Sequence, residues 1–167
     1  YSIIDTNIGT HNVVYTDIEN TDNYDHIYQS DLCGWVGQLG YNKDSIYGAN
    51  VFTAEGNETL KAASFYATGK DSQYELYVVR QFEDETSLEK MIPVASGKLG
   101  NAGYYTVDFN QGIEVDAGER YAVVLYIITP GSVHPMAIEY AADEATENVD
   151  LDDGESYISA NGSNGEC

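Results

Sequence analysis

Residues 48–69 read GANVFTAEGNETLKAASFYATG, and this stretch decides the fold class. It predicts two β-strands joined by a tight turn. In the first strand Val51 and Thr53 point to one face, and Asn50, Phe52 and Ala54 to the other. The turn, Glu55 to Glu58, is polar with a central glycine, as a β-hairpin connection requires. The second strand, Thr59 to Tyr66, combines Ala62 and Ala63 with Phe65 and Tyr66. Small and aromatic residues together suit a tightly packed core between two sheets.

The same pattern extends in both directions. Residues 73–82 alternate, with Tyr74, Leu76 and Val78 opposed to Glu75, Tyr77 and Val79. Residues 104–109 alternate in the same way, and 113–115 add a brief strand. Arg120 to Thr129 is apolar on both faces, the mark of a central strand covered on each side. Short strands are expected at 27–32, 93–99, 136–140 and 157–159, and residues 1–18 suggest an early strand. Residues 83–90 read as a charged turn with one helical turn in it. Residues 33–47, CGWVGQLGYNKDSIY, read as an ordered glycine-rich surface loop. No segment carries a long apolar period of 3.6 residues, whereas Gly, Asn and Asp turns recur between short strands. The expected fold is an all-β, antiparallel two-sheet β-sandwich of jelly-roll type, with an immunoglobulin-like sandwich as the alternative.

Composition narrows the function. The chain has 167 residues, 28 Asp plus Glu against seven Lys plus Arg, and a net charge of −21. Nucleic acid and anionic membrane surfaces both need basic partners, so neither is expected. The longest apolar run, residues 121–128, is too short for membrane insertion. An acidic surface favours solubility, cations and basic partners. No signal-peptide pattern is present, and the abrupt ends at Tyr1 and Cys167 suggest a piece of a larger protein. Residues 1–22 are expected to form a lead-in from a preceding domain, 23–162 the sandwich domain, and 163–167 a flexible end. Cys33 and Cys167 lack zinc-site spacing, and Cys33 lacks the context of a catalytic nucleophile. They are expected not to form a required cross-link.

The order of motifs carries a resemblance. IYQSDLCGWVGQLGY (27–41), ANVFTA and GNETLKAASFYATG (49–69), YELYVV (74–79), VASGKLGNAGYYTVDF (94–109), AGERYAVVLYIITPG (117–131), HPMAIEY (134–140) and GESYISANG (154–162) follow one another as in a lectin-like domain of bacterial and archaeal surface proteins. In that family the domain follows a papain-like (C1) cysteine peptidase domain. The resemblance covers residues 23–162. It implies a non-catalytic β-sandwich in an extracellular or cell-surface protein, with the peptidase active site outside this chain. It leaves two readings. One is a module that binds glycan, a cell-wall or surface-layer component, or surface-protein partners. The other is a structural spacer or clamp that contacts only the neighbouring peptidase domain.

Site residues follow from side-chain chemistry. Sugar binding uses exposed aromatic faces. Trp35, Tyr41 and Tyr47 stand in the glycine-rich stretch and Tyr104 follows a turn, where loops expose such rings. By contrast Tyr66, Tyr74, Tyr121 and Tyr126 are expected in the core. Calcium takes about six to eight oxygen ligands, and the acidic composition makes it the expected cofactor. Asn50 and Glu139 lie inside apolar strands, where a polar group needs a partner or a metal. Glu58 and Glu155 flank strand starts and complete the candidate set; pairing of Glu139 with Arg80 or Arg120 is the alternative. No Cys-His, Ser-His or buried paired-acid constellation points to hydrolysis.

Overall fold

A computed structural model describes residues 13–16, 18, 20, 22–30, 34–140 and 156–161. Nine strands and one 3₁₀ helix (Glu85–Lys90) are found among them: β1 Gly37–Leu39, β2 Ser45–Thr53, β3 Glu58–Ala67, β4 Ser72–Val79, β5 Ile92–Leu99, β6 Gly103–Val115, β7 Arg120–Ile128, β8 Met136–Ile138 and β9 Ser156–Ser159. All the pairings are antiparallel. One layer is a five-stranded sheet in the order β5-β4-β7-β2-β9, and the other is built from the ribbons β3-β6 and β1-β8. The all-β sandwich expected from the sequence is the fold observed.

The core follows from alternation. Ile46, Leu76, Val78, Leu125 and Ile127 face Phe65, Ala67 and Phe109 across the two layers, all of them buried. The opposite face of the five-stranded sheet buries Ala49, Val51, Val79, Ala122 and Val124, with Phe82, Leu88 and Met91 packed over it. β7 therefore lies between two apolar layers, as its unbroken apolar run required. The 3₁₀ helix is capped by Asp84, whose carboxylate accepts from Thr86 N while Ser87 Oγ reaches back to the cap backbone.

Four expectations change. Residues 48–69 are not a hairpin: β2 pairs with β7 and β9, whereas β3 pairs with β6 in the other layer. Both edges of β2 are already filled, so residues 54–57 carry the chain across from one sheet to the other. That crossing is fixed from outside: Ala54 N donates to Glu119 O, Gly118 N to Ala54 O, and Ala117 N to Asn57 Oδ1. Within residues 33–47 the structure holds β1 and the start of β2, so Tyr47 belongs to a strand and not to a loop. Residues 104–109 and 113–115 are one long strand, β6, with a bulge opposite Leu60 and Ala62. The strands expected at 27–32 and in 1–18 are absent among the described residues there; Asp31, Leu32 and most of 1–18 lie outside them.

Candidate aromatic site on the outer face of the β3-β6 ribbon

Residues on a strand alternate between faces, so Phe65 in the core places Tyr66 outside. Tyr66 sits opposite Tyr104 across the ribbon, their ring centroids 4.8 Å apart and tilted by 53°. Trp35 also packs against Tyr66, at 6.1 Å and 57°. Trp35 keeps 38% and Tyr104 59% of its surface exposed. Gly34, with φ of +68°, brings the Trp35 segment onto this row: a Cβ there would lie 2.8 Å from the Tyr66 hydroxyl oxygen. Only glycine meets both demands without strain. Along the same face the hydroxyls of Ser64 and Thr106 are 3.0 Å apart, and Asp108 follows opposite Ala62.

The structure thus brings together Trp35 and Tyr104 of the four aromatic candidates. Tyr41 packs, half-buried, against the main core. Tyr47 stacks on Tyr126 at 4.3 Å on the far face of the five-stranded sheet. Burial, and then the neighbouring Tyr126 and Glu75, push the Tyr47 phenol up. On that same face Tyr77 donates to Glu75, a bond that favours the neutral phenol and pushes Tyr77 up to about 12. Tyr66, assigned to the core from sequence, is the missed member of the site. Its position next to Phe65 on a strand was the signal that could have found it.

Two of the metal candidates, Asn50 and Glu58, have protein partners. Asn50 donates from Nδ2 to Ser30 Oγ at 2.6 Å and accepts at Oδ1 from Ser156 Oγ at 3.0 Å. Glu58 accepts the Tyr28 hydroxyl, which lies 2.9 Å from both carboxylate oxygens, and Gly56 N at 2.8 Å. Protein partners therefore satisfy Asn50, whose place inside an apolar strand suggested an ion, and Glu58, which flanks a strand start. Arg80 is committed elsewhere, to Glu119 at 2.6 Å and to Asp116 at 3.7 Å. Glu139 follows β8 directly. Glu155 lies outside the described residues, as do both cysteines. Among the described residues no three His, Cys, Asp or Glu side chains gather in a way that could hold a metal. Among them, too, no helix is long and apolar enough to cross a membrane.

A lectin-like domain model matches residues 27–165. The chain belongs to the lectin-like domain family. It is similar in structure to the clostridial cysteine protease Cwp84 after propeptide cleavage, with a TM-score of 0.66 and 26% identity over 83% of this chain and 34% of that one. It is also similar to a structure of the cysteine protease and lectin-like domains of Cwp84, a surface layer associated protein of Clostridium difficile. There the TM-score is 0.52 and the identity 22%, over 71% of this chain and 27% of that one. The chain spans about a third of the length of these proteins. No curated protein matches it.

Proposed function

We propose that this lectin-like domain is a non-catalytic glycan-binding module that anchors a secreted or cell-surface protein, and that a papain-like cysteine peptidase shares its chain. The likeness to Cwp84, which carries a cysteine protease and a lectin-like domain and is surface-layer associated, supports the setting. One observation carries the binding: Trp35, Tyr66 and Tyr104 form a continuous aromatic row with two well-exposed ends, beside the Ser64–Thr106 hydroxyl pair. Aromatic faces take the C–H faces of sugar rings, and adjacent hydroxyls take ring hydroxyls. The rings are mutually tilted by 57° and 53°, so they offer no flat platform for a crystalline polysaccharide surface. They suit a single glycan chain that follows the ribbon's twist.

Calcium enters the proposal as a stabilising ion. Its support is the net charge of −21 rather than a ligand set among the described residues. The experiment for glycan binding is an array of cell-wall and surface polysaccharide fragments probed with the isolated chain, beside Trp35→Ala and Tyr104→Ala. Retention of one glycan class by the native chain and its loss in both variants is the expected result. An array without any retained glycan, with capture of the chain by a peptidase domain instead, would replace this reading by the interdomain clamp.

A further inference from the structure

We infer that the aromatic row continues along the ribbon as a stripe for an oligosaccharide bearing free amino groups, and that Asp108 selects those groups. This deepens the glycan reading and rests on it. Three successive rungs of the ribbon turn the same face outward: Tyr66–Tyr104, Ser64–Thr106 and Ala62–Asp108. Same-face residues on a strand are spaced about 6.7 Å, so Asp108, four residues beyond Tyr104, lies about 13 Å along the stripe. That exceeds the span of one pyranose ring. A ligand reaching from the aromatic end to the carboxylate is therefore an oligosaccharide.

The chemistry of the far end is anionic and available. Asp108 is exposed, and its neighbour across the rung is the small Ala62, which leaves the carboxylate uncovered on that side. The Tyr24 hydroxyl donates to Asp108 Oδ1 at 3.5 Å. Among the described residues no Lys or Arg is paired with Asp108, although Lys61 at the bulge is exposed nearby in the strand. The order of groups from the aromatic end is stacking surface, hydroxyl pair, carboxylate. A protonated amine on a sugar held over Thr106 meets the carboxylate as a charge-assisted acceptor. An N-acetylated sugar has no charge to offer there, and a uronic acid is repelled. The overall acidity also attracts amines, without regard to position. Substitution at Asp108 separates the local effect from that general field.

The test is titration calorimetry on the 167-residue chain at low and physiological salt. The probes are a glucosamine oligosaccharide, the N-acetylglucosamine oligosaccharide of equal length, and polygalacturonate. The expected order is glucosamine, then N-acetylglucosamine, with no binding of polygalacturonate. Asp108→Asn should weaken the glucosamine oligosaccharide about threefold to fivefold, the upper part of the range for an exposed charge pair, and leave the N-acetylated one unchanged. The glucosamine loss should shrink as salt rises. Because Asp108 is at the surface, an unchanged unfolding midpoint serves as the folding control. Equal affinity for the two oligosaccharides, or no effect of Asp108→Asn, would overturn the selectivity while leaving the glycan reading in place. Glucosamine binding that survives both Trp35→Ala and Tyr66→Ala would also overturn it, as binding by the general field. Failure of both oligosaccharides to bind, where another glycan binds, would overturn the amino-sugar class. Failure of every glycan would remove the reading on which it rests.

Discussion

Glu119→Gln tests the latch that closes one end of the sandwich. Glu119 closes the turn that leads into β7, and its side chain is 6% exposed. Its Oε1 accepts from Arg80 Nε at 2.9 Å and Gln81 N at 3.1 Å, and its Oε2 from Arg80 Nη2 at 2.6 Å and Asp116 N at 3.2 Å. Glutamine keeps the shape but turns one acceptor oxygen into a donor, so two of the four donors lose their acceptor. Breaking a fully buried pair costs about 3–5 kcal/mol. Arg80 keeps 36% of its side chain exposed and regains water, which lowers the expected loss to about 2–3 kcal/mol. For a domain of this size that is a drop in the unfolding midpoint of roughly 4–12 °C. The hydrogen bonds from Arg80, and next those from the Asp116 and Gln81 amides, hold the Glu119 carboxyl below the usual carboxylate range against the opposing effect of burial. A depressed carboxyl contributes stability that is complete above its unfolded value, near 4.5, and is lost as pH falls through the folded value. The assay is urea unfolding of native and variant chains from pH 7 down to the acid limit. The gap between them should be constant at neutral pH and close at acid pH. A gap below about 0.5 kcal/mol at pH 7, the size of an ordinary surface change, or one that persists unchanged into acid, would refute the reasoning.

Gly34→Ala should cost about 1–2 kcal/mol, from its left-handed backbone and the approach to the Tyr66 hydroxyl, and should weaken glycan binding by displacing Tyr66; unfolding and titration read the two effects. Excess calcium should raise the unfolding midpoint relative to excess chelator at matched ionic strength, and equal midpoints would reject the ion. Because Asn50 and Glu58 already have protein partners, the destabilisation by Asn50→Ala and by Glu58→Gln should be the same in calcium and in chelator. A loss confined to calcium would make them ligands.

Hydrophobic alternation reports which way a side chain faces, and it was legible wherever a strand was long enough. The two faces of β4 and the double burial of β7 both follow from it. Alternation does not report which strand is the neighbour. Residues 48–69 carry a hairpin's turn chemistry, yet β2 and β3 lie in different layers, because the partners of β2 lie far downstream, from Arg120 onward. The partners of Asn50 were hidden for the same reason: Ser30 and Ser156 are 20 and 106 residues away. Tyr47 reads as a loop residue because glycines crowd the segment before it, although β2 begins at Ser45. β1 has three residues, too few for a period. Of the aromatic site, Trp35 and Tyr104 were legible from loop and turn context. Tyr66 required following the alternation one residue past Phe65.

Trp35 is the one tryptophan in the chain, and it stands in the proposed site. Its fluorescence during titration with a glycan retained on the array therefore tests the central claim directly. The expected result is a saturable change in intensity or wavelength, with the midpoint found by calorimetry, abolished by Tyr66→Ala. A glycan that binds by calorimetry and leaves the Trp35 emission unchanged would place the binding elsewhere and contradict the assignment.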